Sequence, residues 1–527
     1  MKGYMSFVLH AHLPFIKHPE YAEFLEEDWY FEAAVETYLP LLGVMERLDR
    51  DNIPFALNMV ITPSLAAMME DSHHRQRLLR YIDKSLKLAQ SEVMRNRDDQ
   101  VFGPIARFYR QRLEALRDRY VNQYQMDLIS AFKQAQDRGG LEIMTCAATH
   151  GFLPLLRQHP QSVRAQIEVG VQEYGRHFGQ PPRGIWLPES AYFEGVEDIL
   201  ADYNIRYFIV DTHALRMAAP PAVYDCYAPV FTPSGIAAFA RDPESSKQVW
   251  SSKEGYPGDR WYRDFYRDIG FDRPFDYIRE YVQPTGLRKP TGLKYHRVTG
   301  DVALDKKAPY DRNMALQMVD EHAGNFVFNR TKQIEYLASN MDRSPIVVAP
   351  YDAELFGHWW FEGPEFIEQV FRRTAKDQQV FEFITLSNYL ENNDVQQVAV
   401  PAESSWGDKG YFDVWLNGEN DYMARHVLAA GRTMTLLANQ MPDARGLQRR
   451  ALNQAAREVL LAQSSDWPFL VTTGTATDYA ARRFKQHVVR FLKLSGQIRS
   501  NKINETYLQF LEDRDSLFPT LDYEVFK

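Results

Sequence analysis

Short apolar runs recur along the chain at 4–9, 55–61, 141–147, 184–187, 207–210, 346–349 and 380–385. Each is only four to seven residues long and does not alternate with polar positions, so both faces of each segment are expected to be buried. That is the signature of parallel strands covered by helices, and the helical periodicity between the runs predicts βα units in a barrel or a large open sheet. Polar residues gather just after the runs: His10 and His12, Thr149 and His150, Glu189, Asp211 and His213, Asp352 and Glu354. The C-terminal ends of parallel strands are where α/β folds carry their chemistry.

Two regions break this alternation. From about 64 to 140 the chain is charged and helical, with Leu79, Ile82 and Leu86 on one face and Tyr109, Leu113, Leu116 and Tyr120 on another. The pattern predicts a helical hairpin inserted after the second strand, its charge runs being solvated faces. From about 418 onward helices are expected at 420–440, 447–463, 478–500 and 505–513, forming a C-terminal bundle. The stretch SSDWPFLVTTGTATD interrupts it and reads as a loop. The predicted division is a catalytic region over 1–400 and a helical domain over 401–527.

A chain of 527 residues is long enough for two or three domains. Its formal charge of −9 argues against general affinity for nucleic acid or an anionic membrane. The opening MKGYMSFVLHAHLPF has an apolar run too short for a signal peptide, and no stretch approaches the roughly 18–20 apolar residues of a membrane span. A cytoplasmic protein is expected. Cys146 and Cys226 are too few for a disulfide framework or a cysteine-based zinc site and read as free thiols. Aromatic residues reach 13%, and many tryptophans stand in loop-like stretches, where flat rings suit the C–H faces of sugars.

In GIWLPESAYFEGVEDIL, Glu189 follows a strand-like run and precedes a helical one, beside Trp186. It reads either as a catalytic carboxylate or as an acid complementing a helix N-terminus. VVAPYDAELFGHWWFEG repeats the layout with Asp352, Glu354, His358, Trp359 and Trp360, the competing explanation being a structural ion pair. Two carboxylates from separate strand ends meet the needs of glycoside hydrolysis, in which one protonates the leaving oxygen and the other attacks or activates water. His10 and His12 are placed to bind sugar hydroxyls or, with a third ligand, a metal. His150 reads as a hydroxyl ligand or a core histidine. Arg260 and Asp268, in GYPGDRWYRDFYRDIGFD, bind sugar or belong to an ion-pair web. Trp406 and Trp415, in SSWGDKGYFDVWLN, form a stacking rim, and Asp466 reaches back from the helical domain or caps a helix. Dinucleotide, P-loop and serine-hydrolase motifs are absent.

HAHLPF, ATHGFLPLL, WLPESAY and APYDAELFGHWWFEG, in that order, resemble the sequence regions of glycoside hydrolase family 57, and SSWGDKGYFDVWLN resembles its fifth region. The tail with SSDWPF is similar to that of the family's 1,4-α-glucan branching enzymes. The resemblance covers essentially the whole chain. It implies an incomplete (β/α)7 barrel with a helical insertion and a C-terminal helical domain that helps form the cleft. It also implies a retaining mechanism with Glu189 as nucleophile and Asp352 as acid/base, acting on an α-glucan such as amylose, glycogen or a starch-like polysaccharide. His10, His12, His150, Trp406, Trp415 and Asp466 then fall at glucan-contacting positions, and neither metal nor organic cofactor is called for.

One departure bears on the reaction. Branching members are associated with a mobile loop carrying a tyrosine that covers the site; here the stretch from Tyr224 to Arg241 is compact, and Tyr224 and Tyr227 come early in it. A short lid favours hydrolysis, as in an α-amylase. Outside this class, a metal-dependent deacetylase or mannosidase would use the two N-terminal histidines as ligands, and a non-catalytic glucan-binding protein would need neither carboxylate.

Overall fold

The computed structural model describes residues 1–251, 254–282 and 285–527. All seven apolar runs become strands: β1 (Gly3–Ala11), β2 (Leu57–Ile61), β3 (Leu141–Cys146), β4 (Gly184–Trp186), β5 (Tyr207–Val210), β8 (Ile346–Asp352) and β9 (Phe381–Phe383). Three more were not foreseen: β6 (Val230–Phe231), β7 (Ala237–Ala240) and β10 (Gln397–Val398). They are too short, or too rich in alanine, to stand out as β-branched runs.

The central sheet runs β7-β5-β4-β3-β2-β1-β8, all parallel. Its two edges meet at one parallel bridge, Arg241 against Val348, with Asp242 N donating to Val348 O at 2.8 Å. The barrel is thus curved almost to closure but joined by a single rung. Val8, Val60, Met144, Cys146, Trp186, Ile209, Phe239 and Val348 fill its interior, all at most 1% exposed.

Between β2 and β3 the insertion holds helices Pro63–Glu70, Ser72–Arg95, Phe102–Asp118 and Leu128–Asp137, so it is larger than a hairpin. The longest is capped by Asp71, whose carboxylate accepts from His73 N and His74 N at 3.0 and 3.1 Å. The C-terminal domain consists of Asp421–Gln440, Gly446–Ala462, Asp466–Thr473, Thr477–Arg499 and Glu505–Arg514. The expected loop after Ser464 is therefore largely a helix. Pro468 sits in its first turn, where proline is tolerated, and Gly474 ends it in the left-handed conformation. Trp467 anchors it, fully buried, with Nε1 donating to Leu461 O at 2.7 Å. Among the described residues no helix is long and apolar enough to cross a membrane.

The helical domain docks where its chain enters that short helix. Ser464 forms an antiparallel bridge with Gly151, and Ser465 N donates to His150 O at 3.0 Å. Gln166 Nε2 donates to Gln463 Oε1 at 2.9 Å beneath them. The loop after β3 and the head of the Asp466–Thr473 helix are thereby one hydrogen-bonded unit.

Candidate active site

A cleft of about 850 Å³ opens over the C-terminal ends of the strands. Its wall brings together His10, His12, His150, Glu189, Asp352, Glu354, Trp406, Trp415 and Asp466. Register explains part of this convergence: β1 and β8 pair in parallel with His10 opposite Asp352, so both point the same way at the rim. His10 Nδ1 lies 3.1 Å from Asp352 Oδ1.

Glu189 stands on a one-turn helix after β4 with φ of +62°, and His150, after β3, has φ of +56°. Neither residue gains from the left-handed region intrinsically; such a conformation costs about 1–3 kcal/mol and persists where the surroundings fix it. Here the surroundings are evident. Glu189 Oε2 accepts from Trp406 Nε1 and Oε1 accepts from Ser465 Oγ, both at 2.9 Å, while Glu189 O accepts from Trp406 N at 3.0 Å. Burial pushes the Glu189 carboxyl up to about 7; the Trp406 and Ser465 donors pull it down and the nearby Asp466 charge pushes it up.

Glu354 is a second acid beside Asp352. Its Oε1 accepts from the Tyr38 hydroxyl and from His12 N. Burial, then the charge of Asp352, pushes Glu354 up to about 8, so it is neutral at neutral pH. Tyr38 closes a π-helical turn, Ala34–Tyr38, an irregularity common at functional sites. Nothing in its local sequence distinguishes it.

The three histidines differ in charge. Burial would lower His12, but Asp466, whose oxygens lie 3.1 and 3.2 Å from His12 Nε2, with Glu189 and Glu354, outweighs it, and the net shift is upward. Burial lowers His10 in spite of Asp352, and burial with the neighbouring histidines holds His150 well down. His10 and His150 meet through their Nε2 atoms at 3.2 Å, and His150 Nδ1 lies 2.7 Å from Ser465 Oγ. Cys146 completes a buried group whose ligand atoms all lie within 4.8 Å of one another. The group joins His10 with His150 and leaves out His12, so it is not the His10–His12 pair with a third ligand added; burial raises the Cys146 thiol well above its ordinary value.

Several expected binding residues stand elsewhere. Trp186 does not line the cleft: it is the fully buried top of the barrel interior, stacked under His10 at 4.9 Å and against Trp406 at 4.7 Å. It floors the site, because an inward-facing position on β4 is a core position. Trp360 is likewise buried, packed on Phe366 at 4.8 Å, while its neighbour Trp359 is 45% exposed and faces the cleft. Arg260 is exposed outside the cleft, its guanidinium over Trp261. Asp268 ties a loop, accepting from Gly270, Thr291 and Gly292, and Arg263–Glu36 and Lys307–Asp264 complete the structural web. Trp415 lines the cleft but is largely buried, stacked on Phe152 at 4.5 Å. Further walls come from Trp29, Glu32, Arg241, Trp250, Phe265 and Phe469.

The segment from Tyr224 to Arg241 folds as an antiparallel hairpin, β6 against β7. Tyr224 donates to Asp342 on the outer surface, and neither it nor Tyr227 lines the cleft.

Comparison with known proteins places these features in a family. The model described as glycosyl hydrolase family 57 matches residues 6–331, and the one described as 1,4-alpha-glucan branching enzyme, C-terminal, matches 426–526. The chain is 34% identical to a 1,4-alpha-glucan branching enzyme of Thermococcus kodakarensis, over 98% of this chain and 78% of that protein. Its fold is similar to the crystal structure of a GH57-type branching enzyme from Pyrococcus horikoshii, with TM-score 0.89, 32% identity and coverage of 100% and 97%. It is also similar to the crystal structure of an alpha-amylase, AmyC, from Thermotoga maritima, with TM-score 0.94, 42% identity and coverage of 100% and 99%.

Proposed function

The chain belongs to glycosyl hydrolase family 57, and from that premise we propose that it is a 1,4-α-glucan branching enzyme. It cleaves an α-1,4-glucan with retention and passes the cleaved chain to a sugar 6-hydroxyl. Glu189 attacks the anomeric carbon while Asp352, protonated, gives its proton to the departing oxygen; Asp352 then takes the proton of the incoming hydroxyl. A covalent glucosyl-enzyme outlives the departure of the first product, which is what transfer in place of hydrolysis requires.

The observation that carries the reading is the dependence of Glu189 on the branching-type C-terminal domain: Ser465 donates to one carboxylate oxygen and Asp466 stands beside it on His12. Trp406, from the connecting segment, holds the other oxygen. Fixing both oxygens sets the attack direction. The exposed ring of Trp359 and the half-buried rings of Trp29 and Trp250, all on the cleft wall, supply flat surfaces for an extended glucan. The reading places the enzyme inside the cell, in the synthesis of a glycogen-like store, with no metal or organic cofactor.

One observation favours a second reading, an α-amylase-like hydrolase: the β6–β7 hairpin offers the cleft no tyrosine cover. Incubation with amylose, followed by proton NMR for α-1,6 linkages and an assay of reducing ends, separates the two. New α-1,6 signal with few new reducing ends supports branching; abundant reducing ends without that signal sink it in favour of hydrolysis.

A further inference from the structure

The retaining reaction needs one proton on Asp352 and none on Glu189. Both acids lie in the same cleft, so a proton that settles on Glu189 in place of Asp352 disarms the enzyme twice, losing both the nucleophile and the acid. The structure joins the two carboxylates by an unbroken run of hydrogen-bonding contacts. From Asp352 Oδ1 the path runs to His10 Nδ1 at 3.1 Å, from His10 Nε2 to His150 Nε2 at 3.2 Å, from His150 Nδ1 to Ser465 Oγ at 2.7 Å, and from Ser465 Oγ to Glu189 Oε1 at 2.9 Å. His10 and His150 are at most 2% exposed and Ser465 is 1% exposed, so the interior of the path is buried.

We propose that Asp352, His10, His150, Ser465 and Glu189 form an aligned proton relay that keeps the catalytic proton on Asp352 and the nucleophile bare. This rests on the assignment of the two carboxylates given above. A neutral imidazole has one N–H and one bare nitrogen, and two of them in series can align in only two ways. In the working alignment Asp352 O–H donates to His10 Nδ1, His10 Nε2–H to His150 Nε2, His150 Nδ1–H to Ser465 Oγ, and Ser465 O–H to the Glu189 carboxylate. In the opposite alignment Glu189 holds the proton and every donor is reversed. Four protons each move one site between the two: an O–H bond breaks and an N–H forms at Asp352–His10, one N–H replaces another at His10–His150, an N–H gives way to an O–H at His150–Ser465, and Ser465 yields its proton to Glu189. No charge is created on either imidazole, and no oxidant or reductant is involved.

The surroundings act on the alignment from both sides: burial and the Asp466 charge push the Glu189 carboxyl up to about 7, and the relay, with His12, Ser465 and Trp406, works against them. Burial holds His10 and His150 below their ordinary values, which keeps both neutral as a relay requires. His12, whose charged form is favoured, stacks on His150 at 3.9 Å and stabilises a bare Glu189. Trp406 Nε1, a donor only, does the same. At the other end the titratable neighbours of Asp352 are His10, Tyr38 and Glu354; at the Glu189 end they are His12, His150, Cys146 and Asp466. Ser465 is a positioning residue in this scheme, carried by the C-terminal domain.

Neutron crystallography of the deuterated full-length enzyme near neutral pH reads the alignment directly. Deuterons are expected on His10 Nε2 and His150 Nδ1, with the Ser465 hydroxyl aimed at Glu189. In Glu189→Gln, Trp406 obliges the amide oxygen to face it, so the amide nitrogen faces Ser465 as a donor. The relay then predicts reversal of the whole path, with deuterons on His10 Nδ1 and His150 Nε2. Either imidazole doubly deuterated, or tautomers unmoved by Glu189→Gln, overturns the proposal. Ser465→Ala adds a kinetic readout. Loss of the donor raises the proton affinity of Glu189, so the acid limb of kcat/KM moves to higher pH, and Ser465→Thr restores it. A uniform loss with the limb unmoved contradicts the relay. The failure of the underlying assignment looks different: Glu189→Ala would retain turnover, whatever the deuteron positions.

Discussion

His12 and His150 stack at 3.9 Å with their planes 16° apart, yet their surroundings pull their charges in opposite directions. Asp466 favours the cation on His12; burial and the His12 charge itself forbid one on His150. One imidazole is therefore an electrostatic support for Glu189, and its stacked partner a neutral hydrogen-bonding link.

Asp466→Asn tests that division. It removes the nearest anion from His12, so the His12 pKa falls and its ring loses the partner that holds it in the cleft, while Glu189 is also relieved of the Asp466 charge that pushes its carboxyl up. The expected loss in kcat/KM is on the order of tenfold or more at neutral pH, equivalent to about 1.4 kcal/mol. A 15N NMR titration in which His12 does not move downward contradicts the account.

The two carboxylates carry the heaviest expectation. Asp352→Asn should lower turnover by about 10²–10⁴-fold, the range for loss of a general acid/base, and Glu189→Ala by at least as much. Circular dichroism melts should stay close to the wild type. Near-normal amylose turnover in either variant would remove that residue from its role.

Glu354 discriminates between a charge and a shape. Because it is neutral below about pH 8, Glu354→Gln should keep turnover within a few-fold of wild type at pH 6–7. Glu354→Ala strands the Tyr38 hydroxyl and His12 N–H, costing about 1–3 kcal/mol. If Gln is as damaging as Ala at pH 6, the carboxylate charge matters and the neutral assignment fails.

Glu32, on the cleft wall, is pushed up to about 8 by burial and then by Glu36. The folded chain therefore holds a proton between about pH 4.5 and 8 that the unfolded chain has lost, and stability falls as pH rises through that window. Glu189 and Glu354 act in the same direction. Glu32→Gln should raise the melting temperature relative to wild type at pH 8 and leave it unchanged at pH 4.5. A gain of equal size at both values would show that ionisation is not the cause.

Gly357, in the GHWW turn, has φ of +119°, and a Cβ there would lie 1.9 Å from Glu36 O. Both the conformation and the contact exclude a side chain. Gly357→Ala is expected to destabilise by several kcal/mol, or to yield no folded protein; a melt within 1 °C or so of wild type would contradict the close approach.

The strand positions and much of the rim were legible because each rests on a local pattern. Apolar runs mark buried strands, and a polar residue directly after such a run marks the rim, which is how His10, Glu189 and Asp352 were found. The tryptophans were less legible, since composition does not tell which face of a strand or turn a ring takes: Trp186 went to the barrel interior, and Trp360 went inward where Trp359 went outward. Ser465 was out of reach for another reason. A serine beside an aspartate looks like a helix cap, and only the docking of Ser464 on Gly151 turns its hydroxyl toward Glu189. Tyr38 belongs to a π-helical turn that no periodicity announces.

Both donors to the Glu189 carboxylate come from sequence beyond β10, the last strand of the barrel. A chain emerging from the ribosome folds domain by domain from its N-terminus, so it can complete the sheet, and even present Glu189 at the rim, before Trp406 and Ser465 exist. Glu189 is then unsupported in a left-handed turn. If Glu189 acts as proposed, assembly of the enzyme carries its own timing: competence arrives with the last domain, and a half-made chain lacks the groups that hold its attacking carboxylate.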